Sequence, residues 1–420
     1  MSQLLFVESN TTGTGMIALR IADRLGVRPV LLTSKPSRYA GLAQQPCDVV
    51  ECDTNDPVAL RAAVDGQLAG QRPAGVVTTS EYYLETVAEL AASLGVPGNR
   101  PAALVNCRNK ARTREVLTAA GLVQPRFSIM TDAGEAAAAV AEVGLPCVVK
   151  PVDDSGSTNV LLCSSVAQVA EHAAAILAVT RNGRGQPTAR TVLVEQYLPQ
   201  AELSVEMFSV DGVATCIGIT EKTVTGGPYF VETQHVFPAP LPAAAATEIA
   251  ETARQALKAT GIEHGASHVE LKLTADGPAV VEINARLAGG MIPELVRLAT
   301  GIELLEQQLR AAVGLPVHLT PAHGRFAGIR FLLAPLAGTL DGVHGVEQAR
   351  RIPGVDRIEV TAAAGAVVQP ARSFADRLGY VIATGPSAAN VGATLDAATD
   401  ALTVQVGVPP STTIAAKKGL

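Results

Sequence analysis

An apolar run, Leu4-Leu5-Phe6-Val7, leads directly into "TTGTGMIALRIADRLG" at residues 11–26, a glycine turn followed by a helical pattern. The same order then repeats. Residues 29–32 read as a strand, 57–68 as a helix, 75–79 as a strand, and 81–94 as a helix stopped by Gly95 and Pro97. Alternation of this kind predicts a small parallel α/β unit. The turn-rich "GVPGNRPAA" marks its end before a new helix.

At 420 residues the chain exceeds one ordinary core, so roughly two to four domains are expected. Hydrophobic content of 48% with 17% charged residues describes a folded globular chain. A net charge of −6, with no basic run, argues against a nucleic-acid partner. No apolar run is long enough to span a membrane. No basic segment with an apolar signal core opens the chain. Cys47, Cys52, Cys107, Cys147, Cys163 and Cys216 form no C-x-x-C pair, so buried thiols in a reducing, cytoplasmic setting are expected.

The glycines of the opening turn pose a functional question. Gly13, Gly15 and Ala18 fit G-x-G-x-x-A, a dinucleotide fingerprint. That fingerprint wants an acidic residue at the end of the second strand to hold ribose. Here the second strand ends in "LLTSKPSR", whose Lys35 and Arg38 suit only a 2′-phosphate. An NADP-dependent oxidoreductase is therefore one reading, and nothing downstream supplies hydride chemistry.

Beyond residue 106 the pattern changes to α+β with antiparallel sheets. "NKARTREVLTAAG" is a helix closed by Gly121, "FSIM" a strand, residues 132–143 a helix, and "PCVVKPV" a strand entering the loop "DDSGSTN". Then come the strand "VLLC", a helix at 165–179, the loop "RNGRGQPTA" and the strand "TVLVEQYL". Two hairpins are predicted, one turning at Asp211-Gly212 and one at Asp276-Gly277. After Pro321 come the short strands "FAGIRFLL" and "RIEVTA", a last helix at 388–402 and a loose tail, "TTIAAKKGL".

The second hairpin carries the strongest chemical signal. Glu282, Asn284 and Arg286 alternate onto one strand face, and folding about residues 275–277 sets Glu270 opposite Glu282. Two carboxylates and an amide among apolar neighbours repel and lose hydration unless a cation joins them. All-oxygen donors select Mg²⁺, or Mn²⁺. Arg286 adds a planar fork suited to phosphate. On the hairpin alone, a solvated outer face explains the pattern equally well. In "VVKPVDDSGSTNV", Lys150 is a point charge at a strand end, and Ser155, Gly156 and Ser157 let backbone N–H groups approach phosphate oxygens. In "VLVEQYLPQAELSVE", one of Glu195 and Glu202 could accept from an adenine amino group and the other from ribose hydroxyls. Taken singly, the first of these segments reads rather as a plain surface turn and the second as two exposed charges around a turn.

In order and spacing, Lys110, Lys150, residues 195–198, Glu202, Glu270, Glu282 and Asn284 resemble the nucleotide site of the ATP-grasp ligase superfamily. The resemblance covers about residues 106–315. It implies that Lys110 and Lys150 contact phosphates, that the segment containing Glu195, Gln196 and Leu198 forms the adenine hinge, that Glu202 holds ribose, and that Glu270, Glu282 and Asn284 carry Mg²⁺. "GIEHGASHVELKLT", "VEINARLAGGMIPELV" and "EKTVTGGPYFVETQHVFPA" look most like the L-amino-acid ligases of the bacilysin-synthetase type, which make dipeptides. From that likeness Arg286 would contact the transferring phosphate or the tetrahedral intermediate, His268 would sit beside the carboxylate or amine being joined, and Glu232 would help hold a substrate amino group. His235, Gly289 and Gly290 are further substrate candidates, and Lys222 has no assigned role. Arg330, in the first strand after Pro321, is a candidate substrate contact.

The fold expected is therefore an ATP-grasp fold (106–320, with a lid at about 124–191), preceded by a Rossmann-like α/β domain (1–105) and followed by a small α+β domain (321–420). The activity expected is ATP- and Mg²⁺-dependent ligation of an amino-acid carboxylate to an amine through an acyl phosphate, releasing ADP and phosphate. A γ-glutamyl ligase and a ligase with a carrier-bound or non-amino-acid acceptor stay open, as does the NADP-dependent oxidoreductase. Small-molecule amino acids are the expected partners. Related ligases are often dimers, so a homodimer is an expectation of the resemblance alone.

Overall fold

The structure, a computed structural model, describes residues 2–11, 14–225 and 228–407. Gly13 of the opening turn and the tail from residue 408 onward lie outside the described residues.

Strands β1 (Gln3–Val7), β2 (Arg28–Thr33), β3 (Asp48–Glu51) and β4 (Gly75–Val77) form a parallel sheet in the order β3-β2-β1-β4. Helices α1 (Thr14–Arg24), α2 (Pro57–Leu68) and α3 (Leu84–Leu94) accompany it. Leu4, Phe6, Leu19 and Leu31 fill one face of this sheet, and Leu5, Val7, Val30 and Leu60 the other. Burial on both faces is why its strands read as continuous apolar runs. Sequence reading passed over β3, a four-residue edge strand whose side chains alternate between half-buried and exposed. Helix α2 starts where expected because Asp56 accepts from Val58 N and Pro57 occupies the first turn.

Helices α4 (Pro101–Arg108) and α5 (Lys110–Ala119) lead into a four-stranded sheet, ordered β5-β8-β6-β7, of β5 (Phe127–Met130), β6 (Cys147–Pro151), β7 (Leu161–Cys163) and β8 (Val192–Gln196), in the region expected from sequence to form a lid. Its helices α6 (Ala136–Val143) and α7 (Val166–Ala178) cover a core that includes Met130, Val149, Val169 and Ile176. Next come β9 (Glu202–Val210), β10 (Val213–Val224), β11 (Glu232–Phe237), α8 (Ala243–Thr260), β12 (Gly265–Thr274), β13 (Gly277–Asn284), α9 (Ile292–Thr300) and α10 (Leu304–Ala312). The chain continues through β14 (Phe326–Leu332), β15 (Gly338–His344), α11 (Val346–Ala349), β16 (Val355–Val360), β17 (Val367–Val368), β18 (Gly379–Gly385), α12 (Ala388–Asp400) and β19 (Thr403–Gly407). Both predicted hairpins are present, β9–β10 and β12–β13.

The central sheet has eight strands in the order β13-β12-β9-β10-β11-β14-β18-β16. It runs across residue 321 without a break, because β11 pairs with β14 from Gln234↔Arg330 to Phe237↔Ala327. Strands β17, β15 and β19 form a small separate sheet. Strand β19 follows directly on α12, in a stretch the sequence reading had not assigned beyond a helix ending at 402. Among the described residues no helix is long and apolar enough to cross a membrane.

Candidate active site

A cleft of about 1100 Å³ opens between the N-terminal unit, the lid and the central sheet. Of the residues singled out from sequence for the site, all but His235 and Lys222 line it. Arg330, the further candidate after Pro321, also falls outside. It is bound to Gln234 (2.9 Å), Asp396 (2.5 Å) and Thr399 (3.2 Å), where it ties α12 to β11.

The hairpin expectation is met in detail. Glu270 pairs with Glu282 across the β12–β13 ladder, and His268 with Asn284. Glu282 lies 3.2 Å from Lys110 Nζ, which also donates to the Asp154 carbonyl (2.8 Å). Asn284 Oδ1 accepts from Arg286 (3.3 Å), and Arg286 forms an ion pair with Glu81. Burial pushes the Glu81 carboxyl up, but Arg286 and Arg108 outweigh it and hold it below its usual range. Glu81, placed on the wall by the turn after β4, carried no sequence signal. The oxygen donors of Glu270, Glu282 and Asn284 fit a hard divalent cation.

Lys150 and Glu195 meet differently from expectation. The Glu195 carboxylate is taken on both oxygens, by Arg114 Nε (2.5 Å) and Lys150 Nζ (2.6 Å). Burial opposes its charge, yet Arg114 and Lys150 bring it down to about 2. Each of its oxygens thus already holds one cationic donor. Arg114, 1% exposed, was missed. It occupies the buried stripe of α5 with Ala111 and Leu117, a position where a charge signals a partner elsewhere.

Lys222, which had no role from sequence, is the hub of a second cluster. Its ammonium lies 2.7 Å from Glu270, 2.9 Å from Glu232 and 3.1 Å from Glu202. These three carboxylates place oxygens within 4.8 Å of one another. Burial works against the Lys222 charge, but Glu232, Glu270 and Glu202 together raise it well above its usual range. Glu232 is further bound by Arg377 (3.0 Å), a residue of the loop just before β18 that lines the cleft and stacks 3.5 Å over the Phe331 ring. After Pro321 the sequence offered only Arg330, which lies outside the cleft, and Arg377 is the residue of that region that enters it.

His268 lines the cleft and is buried and fully engaged. Nδ1 faces Glu206 (3.0 Å) and Nε2 faces Glu270 (3.2 Å). Glu206, itself buried and bound by Ser204 (2.9 Å) and Thr220 (3.1 Å), was not foreseen. Burial lowers the His268 pKa, but Glu206 and Glu270 raise it from 6.5 to about 9. The ring is thus an imidazolium clamp between two carboxylates. It contributes stability that is complete below about pH 6.5 and is lost as pH rises through about 9. Thermal midpoints measured across that interval are expected to fall, and the His268→Gln protein to show a flatter profile. Parallel profiles would refute this assignment.

His235 is buried beneath Gly290, to whose carbonyl Nδ1 is 3.2 Å distant, and meets Phe331 edge-on at 5.4 Å. Gly290 has φ +56, and a Cβ there would lie 2.4 Å from the His235 ring. Gly289→Ala meets nothing within 4 Å. Gly290→Ala is therefore expected to destabilise by about 1–3 kcal/mol, and Gly289→Ala by about 0.5 kcal/mol or less. Denaturant titration of the two variants checks this.

The opening turn serves the same cleft. Asn10, Thr11 and Thr14 line it, and Gly15 is required there because a Cβ would lie 1.8 Å from the Asn10 carbonyl oxygen. Of the two residues offered for a 2′-phosphate, Arg38 turns toward the buried Glu8 carboxylate (3.8 Å), and neither it nor the exposed Lys35 lines the cleft. The NADP reading loses its anion receptor.

Three family models match the chain: an ATP-grasp N-terminal domain at residues 19–98, an ATP-grasp domain at 143–294, and an L-amino acid ligase C-terminal domain 2 at 330–407. Uncharacterized protein y4rH of Sinorhizobium fredii is 32% identical over 402 residues, covering 96% of this chain and 83% of that protein. Carnosine synthase 1 of Gallus gallus is 28% identical over 70% of this chain and 33% of its own length. Alanine–anticapsin ligase of Bacillus subtilis is 28% identical over 53% of this chain and 50% of its own length. The chain thus spans a third to a half of these two ligases. The crystal structure of L-amino acid ligase from Bacillus licheniformis superposes with a TM-score of 0.81 over 97% of this chain and 99% of that one, at 24% identity, a likeness of fold.

Proposed function

The chain belongs to the ATP-grasp ligases and is related to the L-amino acid ligases, and from that premise we propose that it joins an amino-acid carboxylate to the amine of a second amino acid. The observation that carries this reading is the convergence of Glu270, Glu282, Asn284, Arg286, Lys110 and Lys150 on one cleft.

In the proposed reaction a carboxylate oxygen of the donor attacks the γ-phosphorus of ATP. The new O–P bond forms as the bond to the β-phosphate oxygen breaks, giving an acyl phosphate and ADP. The amine nitrogen of the acceptor then attacks the acyl carbon, the C–O bond breaks, and phosphate leaves. Magnesium, held by Glu270, Glu282 and Asn284, would supply positive charge at the phosphates. An ammonium has three donors and a guanidinium five. Lys150 and Arg286 therefore keep N–H groups for phosphate beyond those given to Glu195 and Glu81. Such preorganised donors act on charge as it develops in the transition state. The lid, residues 124–191, excludes water from the acyl phosphate. Backbone N–H groups near Ser155, Gly156 and Ser157 face the phosphates, the segment from Glu195 to Leu198 receives adenine through its backbone, and Glu202 receives ribose. Glu232 attracts a substrate ammonium.

The test is nucleotide release with ATP, Mg²⁺ and pooled amino acids, followed by mass analysis. ADP and phosphate that depend on amino acids, with a new dipeptide mass, are the expected result. AMP and pyrophosphate would refute acyl-phosphate chemistry.

A further inference from the structure

The cleft, at about 1100 Å³, exceeds the roughly 300–1,000 Å³ that usually houses one small ligand. Beyond Arg286 its wall changes character. The chain runs on through Leu287 and Met291 into α9, and both side chains line the cleft half-buried. Arg286 itself donates to the Leu287 carbonyl (2.9 Å). An apolar wall thus begins at the residue next to the fork proposed for phosphate.

Two helices complete this arm of the cleft. Thr14, Ile17 and Ile21 stand at i, i+3 and i+7 on α1, which puts them on one stripe. All three line the cleft, as do Leu305 and Leu309 of α10. Ile21, Leu305 and Leu309 share one core cluster, against which Leu287 packs, so the two helices and the segment after β13 meet. Ile17 is the open member of the stripe, 42% exposed. A lone exposed isoleucine on an outer surface needs no explanation. This one stands in a cleft, in line with a buried apolar floor.

Met291 is a second and independent sign. It holds φ +62, a left-handed conformation that glycine or asparagine adopts readily and a bulky side chain does not. Strain of this kind collects at ligand-binding positions, and a flexible thioether fits an irregular apolar wall. The polar groups that share these elements are already engaged. Glu294 of α9 is bound by Arg357 (2.6 Å), and Glu303, at the start of α10, lies 3.8 Å from Arg297. Gln308 Oε1 accepts from Ala266 N (2.7 Å). A charged substrate side chain in this arm would lose hydration without gaining a partner. An aliphatic one gains by leaving water.

We propose that this arm seats the side chain of one of the two amino acids joined, and that it selects an aliphatic one. Ile17 and Met291 are the residues that set the selection. This rests on the ligase reading above.

The experiment offers an equimolar pool of amino acids with saturating ATP and Mg²⁺ and quantifies the dipeptides by mass and fragmentation. Competition within one pool reads kcat/KM ratios directly. At one of the two product positions, leucine is expected to be favoured over alanine, and over asparagine of similar shape, by roughly 10- to 100-fold. Ile17→Asn and Met291→Asn should each cut that preference roughly 3- to 30-fold. The other product position and KM for ATP should stay unchanged. Ile17 is exposed, and asparagine keeps a left-handed backbone at position 291, so both variants are expected to fold. Variants that lower every dipeptide alike would make the arm a structural wall and overturn the proposal. A raised KM for ATP would assign the arm to the nucleotide and overturn it too. Dipeptides with no aliphatic preference at either position refute the proposal and leave the ligase reading standing. No amino-acid-dependent ADP release would sink both.

Discussion

Glu282→Gln is expected to leave a folded protein whose turnover falls roughly 10²- to 10³-fold, the loss that follows removal of one group stabilising transition-state charge. The side chain is 24% exposed on the cleft, so no packed core is disturbed. Lys110, its ion-pair partner, keeps the Asp154 carbonyl at 2.8 Å and is not left without an acceptor. The change removes a formal negative charge and one oxygen donor while preserving shape. In the proposed reaction the Mg²⁺ concentration for half-maximal rate rises as well. Measurement of ADP release against Mg²⁺, beside a melting curve matching the wild type, checks both halves. A variant with full turnover at the wild-type Mg²⁺ requirement would refute the metal assignment.

Arg114→Leu should act on the fold itself. Arg114 joins three separate elements: Glu195 of β8, the carbonyls of Val280 (2.8 Å) and Val281 in β13, and Gln124 (3.2 Å) at the start of the lid. Leucine removes the charge and leaves Glu195 with Lys150 alone, and leaves the β13 carbonyls without a donor. Breaking a buried ion pair from one side costs about 3–5 kcal/mol, a large part of the roughly 5–15 kcal/mol by which domains are stable. Denaturant unfolding is expected to shift by that amount, and Arg114→Lys, which keeps charge but not the fork, by less. A shift below about 1 kcal/mol, the level of an exposed pair, would refute the structural role.

What could be read from sequence divides along a physical line. The β12–β13 hairpin was legible because alternation and an Asp-Gly turn are local, and a register shift between Glu270 and Leu271 brings Glu270 opposite Glu282, the partner expected for it. Glu206, Arg114, Lys222 and Arg377 were not, because each is defined by partners far away in the chain. Arg114 meets Glu195 through folding of the lid, and Arg377 meets Glu232 across 145 positions. A charged residue on a buried face says only that compensation exists, not where. Glu195 shows a further limit: its place near the end of an apolar strand was legible, but the occupation of both its oxygens was not. In the parallel sheet, β1 and β2 were found from their apolar runs, whereas β3 at the edge buries too little to leave one.

The pairing of β11 with β14 bears on how such a protein can be inherited or rebuilt. Strand β11 gives its outer hydrogen bonds to β14, so a cut at residue 321 leaves a raw sheet edge beside the cleft. Arg377, which arrives with those later strands, would be lost from Glu232 by the same cut. A chimera between relatives that exchanges the C-terminal portion at this seam must therefore transfer a matching strand edge and a cation for Glu232 together. The seam is a place where lineages can diverge in step on both sides, and a poor place for recombination.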